Sequence, residues 1–227
     1  IARNHKNIAI PSFEEAPATH LMIKYSCPKW LCDMWLNQYG VDNMKNILDS
    51  SYLEGMTTLR TNSIKTHKTK LIQELKKLGY DDLEEGLYIN SALRIKNIRN
   101  IEDSPLYRQG YYAVQGESSM ICTHVVDVAP GDRILDACSA PGGKACYMGE
   151  LMDNVGEIDA WDIHPHRVDL IGKNASRLGV SIINAVPNNA AVYSDDYNEL
   201  YDKILLDVPC SGLGIMHKKP DIKLKIT

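Results

Sequence analysis

The chain has no Cys-x-x-Cys pair. Its six cysteines, Cys27, Cys32, Cys122, Cys138, Cys146 and Cys210, are scattered. That spacing argues against a structural zinc site, so no metal is expected. No apolar run approaches the roughly 20 residues that span a bilayer, and no secretory leader precedes the first element. Free thiols in a reducing cytoplasm are therefore the expectation, with no membrane partner. There is no surplus of positive charge either: the net charge is −4 over 227 residues, which does not announce a polyanion binder. Internal repeats and low-complexity tracts are missing. So are the Gly-x-Gly-x-x-Gly turn of dinucleotide-binding sheets and the Gly-Lys-Ser/Thr ending of a phosphate-binding loop.

What is present reads as ordinary globular protein, with 44% apolar and 24% charged residues. The length allows one large domain, or one with a smaller companion. Three zones follow from periodicity. Residues 1–54 are helical. Pro28 opens a helix that carries Trp30, Leu31, Trp35 and Leu36, and Gly40 stops it ahead of a second helix over 43–50. The two tryptophans are expected in a core. Residues 55–115 form a small α/β unit. Its strands are expected at Thr57–Thr61, Gly86–Ile89 and Ala92–Ile95, with a helix started by Thr66 or Thr69 and ended by Gly79. Residues 116–227 alternate strand and helix. Strands fall at 133–137, 156–162, 181–185 and 201–207, and helices at 117–126, 144–152 and 165–178. That alternation implies a parallel, doubly wound sheet with ligands at the carboxyl ends of its strands. The chain starts mid-phrase at Ile1 and stops at Thr227 just after a motif, so it reads as part of something longer.

Chemistry concentrates in three strings. In Asp136-Ala137-Cys138-Ser139-Ala140-Pro141-Gly142-Gly143-Lys144, the two glycines let backbone approach a ligand and Pro141 stiffens the turn. The next helix offers its first amides to an anionic group. Asp162 ends the following strand roughly twenty residues on, where a carboxylate can grip ribose hydroxyls. The third string is Asp207-Val208-Pro209-Cys210-Ser211-Gly212. Enzymes that methylate exocyclic amines place an aromatic residue where Cys210 stands. A thiol suits a pyrimidine instead, whose carbon 5 becomes nucleophilic only after a thiolate adds at carbon 6. Two basic clusters could meet phosphate backbone: one around Arg60, Lys65, His67, Lys68, Lys70, Lys76 and Lys77, the other around His217, Lys218, Lys219, Lys223 and Lys225.

These strings resemble the RNA 5-methylcytosine methyltransferases that use S-adenosylmethionine, and most of all their small-subunit ribosomal RNA group. The resemblance covers most of the chain. It rests on Asp136–Lys144, Asp162–Arg167 and Asp207–Gly214, with weaker support from Trp30–Gly40, Leu59–Asn62 and Tyr111–Ser119. It implies a Rossmann-like methyltransferase sheet, truncated at its C-terminal side, behind a small α/β subdomain that helps hold RNA through Arg60, Lys65, Lys68, Lys218 and Lys219. It implies that Cys138, Ser139, Ala140, Pro141, Gly142, Gly143 and Lys144 wrap the cofactor, that Asp162 binds its ribose and that Asn189 meets its adenine. Asp207 would lie between cofactor and target base, and Pro209 would shape the base pocket. Cys210 matches the family cysteine that assists product release. The family's nucleophile lies on a later strand, in a Thr-Cys-Ser-like string, which is expected beyond Thr227. A monomer acting on ribosomal RNA is the resulting expectation. The alternatives are a nicotinamide-dependent oxidoreductase on a similar sheet and a non-catalytic RNA-binding assembly factor.

Overall fold

The computed structural model describes residues 10–52, 55–96, 98, 100–216 and 218–225. His217, named above in a basic cluster, lies outside them. Two compact units form. One joins the residues up to Gly55 with those from Pro209 onward; the other is Met56–Val208.

The first unit begins with α1 (Pro17–Tyr25). Pro17 stands at a position whose N–H has no helical acceptor, so proline costs nothing there. Helix α2 (Lys29–Ser50) follows Pro28 and is interrupted at Gly40, where φ is 74°. Glycine tolerates that left-handed backbone, so the expected stop appears as a break within one run. Leu21, Tyr25, Leu31, Cys32, Trp35, Met44 and Leu48 form the core of this unit. Trp30 departs from expectation: it is 41% exposed. Five positions apart on a helix, Trp30 and Trp35 project about 140° apart and cannot share one buried face.

The second unit holds two sheets. The first is built from β1 (Thr57–Thr61), α3 (Lys68–Lys77), β2 (Leu83–Glu85), β3 (Ala92–Ile95), α4 (Pro105–Arg108) and β4 (Tyr112–Val114). Its strand order is β2-β3-β1-β4, antiparallel throughout. Leu59, Leu71, Leu75, Leu93, Ile95 and Tyr112 bury together beneath it. The cap of α3 is His67, whose ring accepts the Lys70 N–H at 3.3 Å, rather than a threonine. The strand expected over Gly86–Ile89 is a turn. Its N–H groups, at Leu87, Tyr88 and Ile89, all donate to the Glu117 carboxylate at 2.7–3.1 Å. With a carboxylate satisfying those donors, no ladder is needed.

The other sheet comprises β5 (Arg133–Asp136), β6 (Glu157–Asp162), β7 (Ile183–Pro187) and β8 (Lys203–Leu205), with α5 (Glu117–Val126), α6 (Gly143–Leu151) and α7 (Pro165–Leu178). All four strands are parallel in the order β7-β6-β5-β8. Ile134, Ile158, Ala160, Met148, Met152 and Ile171 pack between sheet and helices. The chain winds outward from β5 to β7, then returns past β5 to lay down β8. The strands β5 and β8 therefore flank the switch point, where a crevice opens at their carboxyl ends.

After Val208 the chain joins the helical unit. Met216 is buried against Leu21 and its neighbours. Near the end, α8 (Ile222–Lys225) places Lys223 in the interior, 2% exposed. Its Nζ donates to the Tyr25 carbonyl at 2.9 Å and to the Tyr52 hydroxyl at 3.2 Å. Lys223 is thus a buried strut and not part of a solvated basic patch.

Candidate functional site

Strand β5 delivers Asp136 to the crevice. The loop that follows is closed by Gly142 N–H donating to the Ser139 carbonyl at 2.7 Å, and is tied to β6 by Ser139 N–H donating to the Trp161 carbonyl at 2.7 Å. Gly142 has φ 91°, and a Cβ there would sit 3.2 Å from the Ile171 backbone. Glycine is required twice over, for its backbone and for its missing side chain. The loop residues Cys138, Ser139, Ala140, Pro141, Gly143 and Lys144 line a cavity of about 320 Å³ together with Asp136, Asp207, Val114, Gln115, Gly116 and Ser119.

Asp136 sets the character of this cavity. It is 1% exposed, and neither carboxylate oxygen has a hydrogen-bond partner among the described residues. Burial pushes its pKa up to about 6, against the opposing pull of nearby Ser139 and Lys144. With the Ser139 side chain and the Cys138 N–H nearby but neither in good hydrogen-bond geometry, this buried acceptor pair is costly unless a ligand supplies donors. Lys144 pairs with Asp207 across the mouth. The Cys138 thiol is pushed up, first by burial and then by Asp136, Asp162 and Asp207. It stays protonated, which suits a wall and not a nucleophile.

Three expected cofactor residues do not line the cavity: Gly142, Asp162 and Asn189. Asp162 is buried, accepts the His164 N–H at 3.0 Å and lies 3.1 Å from Arg167. Arg167 also donates to the Ala140 carbonyl at 3.0 Å, so Asp162 braces the loop through it. Asn189 accepts the Ala191 N–H at 3.0 Å and closes its own turn. Pro209 and Cys210 belong to the helical unit; both are exposed, and Cys210 is a free thiol.

The basic residues divide. Arg60 is fully buried and its guanidinium pairs with Glu150, so it cannot contact phosphate; that assignment is corrected. Lys65 is exposed, yet its Nζ donates to the Gln109 and Arg177 carbonyls at 3.0 and 2.7 Å. Lys68 pairs with Glu85. Lys218 and Lys219 are exposed. The sequence reading missed Asp136 as a site residue, although it begins the glycine-loop string. It also missed Val114, Gln115, Gly116 and Ser119 as lining residues, although Tyr111–Ser119 lent the family resemblance weak support.

Two family models match. The 16S rRNA methyltransferase RsmB/F model covers residues 123–227, and the RsmF/B-like ferredoxin-like domain model covers 27–102. The chain belongs to the RsmB/F methyltransferase family. Among RsmB/F relatives it is 34% identical to the probable ribosomal RNA small subunit methyltransferase B of Bacillus subtilis (strain 168), over 98% of this chain and 50% of that protein. It is 32% identical to the 28S rRNA (cytosine-C(5))-methyltransferase of Mus musculus, over 88% of this chain and 25% of that one. The chain thus spans half or less of the length of these relatives. A methyltransferase homolog from Pyrococcus horikoshii superposes with a TM-score of 0.77 at 27% identity, covering 89% of this chain and 66% of that one. Neither the nicotinamide reading nor the non-catalytic one finds support beside these matches. No helix among the described residues is long and apolar enough to cross a membrane. They also hold no cluster that could bind a metal ion.

Proposed function

We propose that this chain is the cofactor-holding part of an enzyme that moves a methyl group from S-adenosylmethionine to carbon 5 of a cytosine in ribosomal RNA, the small-subunit RNA in the first instance. The observation that carries the reading is the unpartnered Asp136 carboxylate beside the glycine loop at the switch point. S-adenosylmethionine fits it: an ammonium and ribose hydroxyls offer donors to buried acceptors. When bound, the cofactor supplies an electrophilic methyl group on a sulfonium. The protein's own residues position and protect. The loop from Cys138 to Lys144 wraps the cofactor, while Asp162 and Asn189 are assigned to its ribose and adenine. Asp207, exposed and held by Lys144, accepts a hydrogen bond from the target base. Pro209 shapes the base pocket.

The thiolate that adds at carbon 6 is assigned to a cysteine other than Cys210. After methylation the carbon-5 proton leaves and the thiolate is expelled, which restores the aromatic ring; Cys210 assists that release. The target base must be unstacked before any of this, because its reactive atoms are otherwise covered. Lys65, Lys68, Lys218 and Lys219 are assigned to phosphate contacts that hold the RNA. The reading has a monomer at work in the cytoplasm, where an exposed thiol such as Cys210 stays reduced.

Calorimetry separates this reading from its rivals. S-adenosylmethionine should titrate into the chain with a saturable heat and NAD should not; silence from the former ends the proposal. For the chemistry, the test is methyl transfer to unmodified ribosomal RNA by the full-length parent protein carrying Cys210→Ala. A covalent RNA–protein adduct should accumulate on denaturing gels. Normal turnover without adduct would remove Cys210 from the release step.

A further inference from the structure

The buried Arg60 has a second set of contacts that its pairing with Glu150 does not explain. One guanidinium nitrogen, Nη2, meets Glu150 Oε1 at 2.5 Å; the other, Nη1, donates to the Gly143 carbonyl at 2.9 Å and to Gln115 Oε1 at 2.5 Å. Its carbon Cζ lies 4.6 Å from the Tyr147 ring centroid. Gly143 and Gln115 both line the cavity that holds Asp136. One side chain on β1 therefore ties two lining residues of the cavity together.

The grip dictates the chemistry of the Gln115 wall. A guanidinium has only donors, so the atom of Gln115 that faces it must be the carbonyl oxygen. The amide nitrogen is thereby turned the other way, where it donates to Ser119 Oγ at 3.2 Å. One Nε2 hydrogen and the Ser119 hydroxyl hydrogen are left without an acceptor among the described residues, and both side chains line the cavity. Asp136, whose carboxylate oxygens have no hydrogen-bond partner among the described residues, lines the same cavity. The lining of the cavity thus offers both unused donors and unused acceptors. A zwitterionic amino-acid group is complementary to that arrangement, its ammonium toward Asp136 and its carboxylate toward Gln115 and Ser119.

We propose that Gln115 and Ser119 bind the carboxylate of the cofactor's amino-acid end, and that Arg60 is the positioning residue that locks the Gln115 amide in the donating orientation. This rests on the cavity being the S-adenosylmethionine site. The test uses the whole chain and two ligands, S-adenosylmethionine and its decarboxylated form. Gln115→Glu keeps an acceptor for Arg60 but presents oxygen to the cavity. It should fold with a melting temperature near wild type, bind S-adenosylmethionine at least about tenfold more weakly, and bind the decarboxylated ligand as wild type does. Arg60→Lys keeps a charge for Glu150 but loses the fork. It should show the same selective loss, and combining it with Gln115→Glu should add little. Equal weakening for both ligands, or unchanged affinity for S-adenosylmethionine, overturns the assignment. So does a defect that appears only in the RNA dependence of methylation, since that would place the donors on the target base.

A ligand-free readout separates this idea from the reading it rests on. The Gln115 side-chain NH₂ resonances should be shifted and slow to exchange in wild type, and should collapse toward solvent values in Arg60→Lys. Should wild type fail to bind S-adenosylmethionine, the proposed function falls and the carboxylate assignment with it. The positioning role of Arg60 is then decided by these resonances, and resonances that do not move in Arg60→Lys refute it.

Discussion

Asp136 shows how one residue trades stability for a site. Its ordinary carboxyl pKa of 3.8 is raised to about 6 in the fold, chiefly by burial. A raised acid favours the folded state only while it holds its proton. The contribution is present below pH 3.8 and drains away as pH climbs through about 6. Asp136→Asn removes the titration. The variant's stability advantage over wild type should grow between pH 4 and pH 6 and then level off, on the order of 2 kcal/mol. Chemical denaturation across that range checks it; Glu150, raised to about 7 by burial, is common to both proteins and cancels. The same variant should lose S-adenosylmethionine binding in calorimetry. An advantage that is flat with pH would mean the carboxyl does not feel its burial. Gly142 carries the opposite prediction. Gly142→Ala meets a positive φ and a 3.2 Å contact with Ile171, and should lower stability by about 1–3 kcal/mol, read as a lower urea midpoint.

At the scale of elements, one carboxylate decides what a segment becomes. Gly86–Ile89 has a strand-like composition, yet Glu117 gathers its three N–H groups into a turn. Burial resists ionisation of Glu117, but those N–H groups outweigh it and hold its pKa below the ordinary value. A lowered acid stabilises above its unfolded pKa, and that help is lost as pH falls through the acid range. Glu117→Ala should free the turn without unfolding the sheets. Amide hydrogen exchange at Leu87, Tyr88 and Ile89 should accelerate at least about tenfold while amides of β5 and β6 keep wild-type rates. Uniform acceleration would show that the carboxylate holds the whole unit and not the turn.

At the scale of the molecule, chain order and spatial order part company. The residues after Val208 leave the parallel sheet's unit and complete the helical one, where Met216 and Lys223 are almost fully enclosed. Met216→Ala should cost the helical unit about 2–4 kcal/mol, the usual loss for a buried methionine. Hydrogen exchange within α1 and α2 reports it. If only amides of Met56–Val208 responded, the packing described for Met216 would be wrong.

The amino-acid order by itself determined most of the local elements and the loop, though not the Gly86–Ile89 turn. Gly179 ends α7 at φ 79°, Pro165 opens it, and the glycine loop follows β5 as its residues require, because each signal acts within a turn or two of where it stands. Alternating strands and helices were enough to imply a parallel sheet and a crevice at its strand ends. The tertiary structure alone decided which residues share a space. Arg60 reads as a surface cation until β1 sets it against Glu150, ninety residues away in sequence. Gln115 and Ser119 become a cavity wall only when the antiparallel sheet is built, and Lys223 becomes a strut only when the chain returns to α1. Local sequence encodes backbone preference over a few residues; burial and partnership depend on distant segments meeting, and no window along the chain contains both sides of that meeting.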